Sequence, residues 1–194
     1  AKNQRGSMLQ KFVSDNGELD VIGGAQVQKL GVIGIKGKIN KSKIDSEQAY
    51  VKDNSILVQR IVAHIENPID HIQITCAIPK DKRQIMVDTI NQITLNEGVS
   101  QEFVWGLLNS KLVNWYAYRF IFGKAIRTMQ FDNPTTERLP IPKADKNSEK
   151  AIINYAKEIF EINKELKNSS KNSDSWKMSN KRIVDALSKI DYEI

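Results

Sequence analysis

The nucleophilic and titratable residues of this sequence do not combine into a catalytic set. Residues 165–167 read Glu-Leu-Lys, the Glu-x-Lys form of a metal-dependent nuclease, but no Asp-bearing strand precedes them. His64 and His71 could bind a metal ion, yet the chain has one cysteine and no further ligand at a suitable spacing. Cys76 falls on the inward side of a predicted strand, where an inert thiol is expected. The sequence therefore predicts no catalysis of its own.

Two Asn-Pro segments come closest to a methyltransferase loop. Methyl transfer to an exocyclic amine needs a proline-rich loop with hydrogen-bond acceptors and an aromatic residue that stacks on the flipped base. Residues 67–70 read Asn-Pro-Ile-Asp and residues 133–136 read Asn-Pro-Thr-Thr, without a second proline or an aromatic residue. There is also no glycine-rich strand-to-helix turn for a nucleotide-type cofactor. Both segments are interpreted as ordinary turns.

After catalysis, binding is the remaining function that the sequence indicates. Basic and amide side chains recur at the predicted connections, where a scaffold exposes residues to a partner. Lysines suit DNA phosphates, whereas arginine can bridge two acceptors of guanine and glutamine two positions of adenine. Any one basic group alone more often only solubilises a loop. The candidate DNA-binding residues are Lys36, Lys38, Lys41, Lys43, Gln59, Arg60, Lys80, Lys82, Arg83, Gln84, Lys124 and Arg127.

The charge balance favours a polyanionic partner without requiring one. The 194 residues include 29 Lys and Arg against 23 Asp and Glu, a formal net charge of +6. A single cysteine excludes an internal disulfide, and no apolar run approaches the roughly 20 residues that span a bilayer. We therefore expect a cytoplasmic protein with one main domain and no membrane partner.

Short strands are predicted for the first half of the chain. Over residues 9–39, glycines separate short apolar pairs, which is typical of strands and turns. Residues 70–78 have an apolar side chain at every second position from 72 to 78, the period of a half-buried strand. The run 84–95 fits neither the helical nor the strand period cleanly, and its Ile, Val and Thr content favours strands. We expect an antiparallel meander with a basic connection at its tip.

Helices are predicted for the second half. Ser100 can cap a helix that runs to about Phe122, where Gly123 terminates it. The proline-containing segments 133–134 and 139–142 are expected to form an extended, rigid connection. Beyond them, apolar residues recur at steps of three and four over 152–166 and 183–194, with a polar stretch between, which predicts two antiparallel helices. Neither is long enough to be stable alone, so each must pack on the other or on the preceding domain.

The predicted fold class is α+β: a small mixed or antiparallel β-sheet domain with a packed long helix, followed by a C-terminal antiparallel helical hairpin. Residues 9–142 form the α+β domain and residues 143–194 the hairpin. Residues 1–8, which include Gly-Ser-Met, are interpreted as a candidate tag remnant without functional weight.

Two motifs connect the chain to a known family. Residues 104–116 read Val-Trp-Gly-Leu-Leu-Asn-Ser-Lys-Leu-Val-Asn-Trp-Tyr, and Leu139-Pro140-Ile141-Pro142 follows. In these motifs the chain resembles the TaqI-like C-terminal specificity domain. That domain is the target-recognition region of type II and IIG restriction-modification enzymes and related adenine-N6 DNA methyltransferases. Weaker similarities at residues 21–27, 57–61 and 181–194 extend the resemblance over most of residues 19–194.

The resemblance implies a non-catalytic module that reads several base pairs of double-stranded DNA. Its other partner would be a methyltransferase domain, and in some relatives a nuclease domain, of the same polypeptide or complex. That domain would use S-adenosylmethionine, whereas no cofactor and no metal is expected in this chain. The hairpin 143–194 would serve in dimerisation or in docking to the catalytic domain.

Two other hypotheses stay open. The chain could be half of a type I restriction enzyme specificity subunit, with the terminal helices as a spacer and subunit-docking surface. It could also be a protein–protein interaction scaffold whose hairpin binds a protein partner. An electropositive concavity as wide as DNA would argue against the scaffold, and charges spread evenly over the surface would favour it.

Overall fold

Strands dominate the chain up to residue 95 and helices dominate the remainder. The computed structural model describes residues 1–81, 83–141 and 144–194. Its strands are β1 (Lys2–Arg5), β2 (Leu19–Ile22), β3 (Val27–Gln28), β4 (Gly31–Val32), β5 (Gly37–Ile39), β6 (Ser55–Gln59), β7 (Ile61–Ile65), β8 (His71–Gln73), β9 (Cys76–Ala77), β10 (Ile85–Met86), β11 (Ile90–Thr94) and β12 (Met129–Gln130). Its α-helices are α1 (Gln101–Asn109), α2 (Lys111–Tyr116), α3 (Asn133–Glu137), α4 (Lys146–Lys167) and α5 (Asp174–Glu193), and a π-helix spans Ala117–Ile121. The predicted α+β class is confirmed.

The central sheet is antiparallel and has the strand order β1-β11-β6-β9. β6 is buried on both faces, because Ile56 and Val58 join the main apolar core and Leu57 joins a second apolar cluster. Beyond β6 the chain continues into β7, which lies between β12 and β8 in a separate antiparallel sheet. A third sheet has the order β10-β2-β5, with β10 parallel to β2, and β3 pairs with β4.

The expected meander of residues 70–78 and 84–95 is wrong in its pairing. β9 and β11 lie on opposite sides of β6, and β10 pairs with β2 instead. The alternation within 70–78 is confirmed at Ile72, Ile74 and Cys76, which are buried. The segment is nevertheless divided into β8 and β9, and the Ile74 N–H donates to the side chain of Asn114 at 2.7 Å. The alternation of side chains specifies the buried face of a strand but not its neighbour.

The single long helix predicted after Ser100 is also wrong, because it breaks at Ser110. Ser100 caps α1 as expected, with its Oγ accepting from Phe103 N at 3.2 Å. Ser110 has extended backbone angles and caps α2 in the same way, accepting from Val113 N at 3.2 Å. The chain changes direction there, so the apolar spacing no longer predicts burial and Trp115 is 48% exposed. Gly123 follows the π-helix with the predicted positive φ of 58°.

The proline segment near residue 133 starts a helix where an extended connection was expected. Asp132 caps α3 by accepting from Thr135 N at 3.0 Å, and Pro134 lies in the first turn, where a missing N–H costs no hydrogen bond. Leu139 is buried in the main core. Pro142 lies outside the described residues.

The two antiparallel C-terminal helices are confirmed, and they share the core of the sheets. Ile152 and Ile159 of α4 and Ile190 of α5 belong to the same apolar cluster as Trp105 of α1. At Gly106 a Cβ atom would lie 2.7 Å from Ile152 Cγ2, so only glycine allows this approach of α1 and α4. The division of the chain at residue 142 stays a prediction.

Residues near the N-terminus belong to the fold. β1 pairs with β11 over its whole length. Asn3 is buried, and its Nδ2 donates to Thr136 Oγ1 at 2.6 Å and to Phe131 O at 3.3 Å. The segment to which the sequence assigned no functional weight therefore has a structural role.

Candidate nucleic-acid interface

The register of the β10-β2-β5 sheet determines where the candidate DNA-binding residues lie. β10 is parallel to β2, with Ile85 beside Val21, and β5 is antiparallel to β2, with Ile39 beside Leu19. Residues that precede β10 therefore lie at the same end of the sheet as residues that follow β5. We call this the Leu19 end. Residues that follow β10 or precede β5 lie at the opposite end, which we call the Gly23 end.

The Leu19 end carries Lys41, Lys43, Lys80, Arg83 and Gln84. Lys41 and Lys43 lie in an exposed 3-10 turn, and Lys43 Nζ is 5.8 Å from the centre of the Phe12 ring. The Gln84 carbonyl accepts from Val51 N at 3.0 Å, which fixes the start of β10. Lys82 lies outside the described residues.

Two cations of this region have carboxylate partners. Lys38 Nζ lies 3.0 Å from Asp20 Oδ1 on the neighbouring strand, in the middle of the sheet. Arg83 Nε lies 3.5 Å from Asp81 Oδ1. The backbone N–H of Arg83 is the main cause of the lowered pKa of Asp81, and the guanidinium adds to it. Lys41 and Lys80 have no ion-pair partner in the described part of the chain, so they are the freer cations here.

The Gly23 end carries Lys36, Gln59 and Arg60. Lys36 is exposed immediately before β5. Gln59 Nε2 donates to the carbonyls of Gly24 at 3.0 Å and Val27 at 2.8 Å, which leaves only Oε1 for another partner. An Arg60 NH2 group donates to Gln130 Oε1 at 2.8 Å. Arg60 and Gln130 thus form a hydrogen-bonded pair at this end.

The loop that carries Lys124 and Arg127 precedes β12, on the Val62 side of the β12-β7-β8 sheet. All of residues 123–128 are exposed, and the loop runs directly into β12. β12 contains Gln130, the partner of Arg60. The candidate residues therefore do not form one group. Some lie at the two ends of the β10-β2-β5 sheet, Lys38 lies in its middle, and Lys124 and Arg127 lie in the loop before β12. Their DNA contacts stay predictions.

A cleft of about 470 Å³ between β8 and α2 contains residues that the sequence analysis did not select. Trp115 and Tyr118 line it and form its aromatic wall. Lys29, Lys111 and Arg119 also line it and form its basic rim. One sequence signal could have indicated this site: residues 103–131 contain four Lys and Arg residues and no Asp or Glu.

The charges of the basic rim are only partly compensated. Lys111 Nζ lies 3.3 Å from Asp191 Oδ2, and the Arg119 guanidinium lies 5.5 Å from the centre of the Trp115 ring. Burial lowers the pKa of Lys29, against the opposing effects of Cys76 and Asp191. Of the acidic residues described, only Asp70 lines the cleft. An anionic ligand would therefore meet a favourable potential.

Cys76, His64 and His71, which the sequence analysis considered for chemistry, lie apart from the basic connections at the ends of the β10-β2-β5 sheet. Cys76 is fully buried, burial raises its pKa to about 12, and Asn109 Nδ2 contacts its Sγ at 3.2 Å. His64 Nε2 lies 3.6 Å from Asp70 Oδ1, and His71 Nδ1 lies 2.7 Å from Ile69 O. Within residues 1–81, 83–141 and 144–194, no three His, Cys, Asp or Glu side chains group as metal ligands. The buried thiol expected at Cys76 is confirmed.

The fold is similar to part of a restriction-modification enzyme. The solved structure is that of the type IIL enzyme MmeI in complex with DNA, with 13% sequence identity and a TM-score of 0.57. The match covers 100% of this chain and 32% of the MmeI chain, so the chain spans about a third of that enzyme. Neither a family model nor a curated protein matches the chain. None of the helices described combines the length and apolar character needed to cross a membrane.

Proposed function

We propose that this chain is a sequence-specific double-stranded DNA recognition module of a restriction-modification enzyme and is not catalytic by itself. The observation that carries the proposal is the likeness of the whole chain to a third of MmeI, which was solved with DNA. The motifs at residues 104–116 and 139–142 support the same class through their resemblance to the TaqI-like specificity domain.

The Gly23 end and the exposed loop at residues 123–128 are the proposed DNA contacts. Lys124 and Arg127 lie in the loop, and each is free of a carboxylate partner among the described residues. Lysine would neutralise phosphates, whereas Arg60 with Gln130 presents a guanidinium and an amide to base edges. Cations and hydrogen-bonding groups on neighbouring connections are what a base-reading surface needs.

The chemistry of the system would lie in a separate domain. We propose an adenine-specific methyltransferase domain as partner, with S-adenosylmethionine as its cofactor and the cytoplasm as its location. The shared apolar core of α4, α5 and α1 supports a rigid hairpin whose outer face could dock on that domain.

Duplex titrations at two salt concentrations test the proposal. If about four phosphates are neutralised, the affinity should fall about 10²-fold from about 50 to about 200 mM salt, because counterions are released on binding. Lys124→Gln and Arg127→Gln should each lower the slope of log affinity against log salt by about 1. Lys157→Gln, an exposed lysine of α4, is the matched control and should leave the slope unchanged. Binding that is absent or independent of salt would contradict the proposal.

A further inference from the structure

The cleft between β8 and α2 has the size and composition of a ligand site. Its volume of about 470 Å³ falls within the range of about 300–1,000 Å³ that small-molecule sites occupy. Its exposed lining surface is mainly apolar, and polar and charged residues line it beside the aromatic wall. The cleft thus offers stacking surface and positive charge.

We propose that this cleft holds one unpaired nucleotide of a DNA strand, with the base against the aromatic wall and the phosphate at the basic rim. The inference rests on the proposed function, because a DNA strand must first be bound nearby. The cleft would be a second DNA-binding site, separate from the Gly23 end. It would bind an unpaired nucleotide, whereas the Gly23 end would bind the duplex.

The aromatic wall is placed to stack on a base. Trp115 is 48% exposed, and Phe120 contacts its ring edge-to-face, with the ring centres 5.6 Å apart. Tyr118 also lines the cleft and is buried, with its ring centre 5.9 Å from that of His64. An exposed indole on a supported helix can accept any base, because every base has a π face.

An apolar cleft beside the edge strand β8 could also hold a neutral peptide. The charges of the cleft favour an anion over such a peptide. The basic rim has three cations, of which Lys111 is paired with Asp191, and Asp70 is the one carboxylate among the described residues that line the cleft. The surrounding segment 103–131 adds no acidic residue. Aromatic surface beside a basic groove is the combination that single-stranded nucleic acids bind.

The test compares an intact duplex with the same duplex carrying one bulged nucleotide. The bulged duplex should bind about tenfold more tightly, the scale of one base–aromatic stack. Trp115→Ala should abolish this preference without changing the affinity for intact duplex, and Trp115→Phe should keep it. Lys29→Met should reduce the preference by removing one phosphate contact.

Leu112→Ala is the matched control, because Leu112 is equally exposed on α2 but does not line the cleft. Thermal unfolding of each variant verifies that the fold is retained. Equal binding of bulged and intact duplexes, or a preference that survives Trp115→Ala, would overturn the inference and leave the proposed function standing. Binding of the bulged duplex alone, with none of the intact duplex, would instead contradict the proposed function and support the assignment of the cleft.

A titration with free deoxyadenosine monophosphate separates two sources of the same ligand chemistry. Quenching of tryptophan fluorescence by this nucleotide that is lost in Trp115→Ala, without any preference for the bulged duplex, would identify a free-nucleotide site and overturn the assignment to a DNA strand. A bulge preference with little binding of the free nucleotide is the expected result.

Discussion

Asp88 is an acidic residue at the Gly23 end, and two neighbours keep it ionised. Burial alone would raise its pKa, but hydrogen bonds from Gln10 at 2.8 Å and Arg5 at 2.6 Å outweigh burial and lower it. The carboxylate therefore stabilises the fold above its ordinary pKa of 3.8, and this stability is lost as the pH falls through the lower, folded-state value.

Asp88→Asn should therefore lower the free energy of unfolding by about 1 kcal/mol at neutral pH. The deficit should shrink once the carboxylate of the parent protein is protonated. Urea denaturation of both proteins at about pH 7 and about pH 3 measures this. A deficit of the same size at both pH values would show that the lost interaction does not depend on the charge of Asp88.

Individual residues were predictable from the sequence where their role depended on local pattern. The burial of Cys76 follows from strand alternation, and the cap at Ser100 from the residue type before an apolar run. The role of Gln59 was not predictable, because the carbonyls that occupy its amide belong to Gly24 and Val27, far away in the chain. Lys29 and Trp115 were missed for the same reason: their cleft exists only after β8 and α2 come together.

The break between α1 and α2 depends on Asn114. Its Oδ1 accepts from Ile74 N, and its Nδ2 donates to the carbonyls of Leu108 and Ser110 at 2.9 and 2.8 Å. One side chain thus satisfies backbone groups on both sides of the break and joins α2 to the β8–β9 segment. This tertiary requirement overrides the helical period of the sequence.

Asn114→Ala should lower the free energy of unfolding by about 2 kcal/mol, because it leaves backbone groups without partners. Ser100→Ala, which removes only a helix cap, should cost about 1 kcal/mol. Chemical denaturation of both variants ranks them. If Asn114→Ala were the milder substitution, the break at Ser110 would have to be stabilised by other contacts.

Elements with a long, clean period were predicted best. The hairpin of α4 and α5 follows from apolar steps of three and four, and its packing against the domain follows from its length. The pairing of β9, β10 and β11 could not be predicted, because strand partners depend on long-range topology. The extended connection predicted at residues 133–134 was wrong because Asp132 caps a helix that begins there.

At Gly106, α1 packs closely against α4 of the helical hairpin. Gly106→Ala should lower the free energy of unfolding by about 1–3 kcal/mol, because the added Cβ would lie 2.7 Å from Ile152 Cγ2. The penalty should decrease in an Ile152→Ala background, where that methyl group is absent. Denaturation of the four proteins of this double-mutant cycle measures the coupling. Strictly additive effects would place the strain elsewhere.

The arrangement of the charges is also a property of the whole molecule. The sequence selected the candidate cations and amides as one set, whereas the register of β10-β2-β5 places some at the Leu19 end and others at the Gly23 end. Loop composition identifies the basic connections, but the end of the sheet at which a connection lies depends on the relative direction of three short strands.

The position of β1 in the chain affects how the protein folds during its synthesis. Its partner β11 is synthesised only after β2 to β10. Lys2–Arg5 therefore stays unpaired on the ribosome until most of the sheet residues have emerged. Until then β1 has no strand partner, and the late closure of such distant pairs slows folding. A fusion partner or chaperone that shields this segment during synthesis should therefore raise the yield of folded protein.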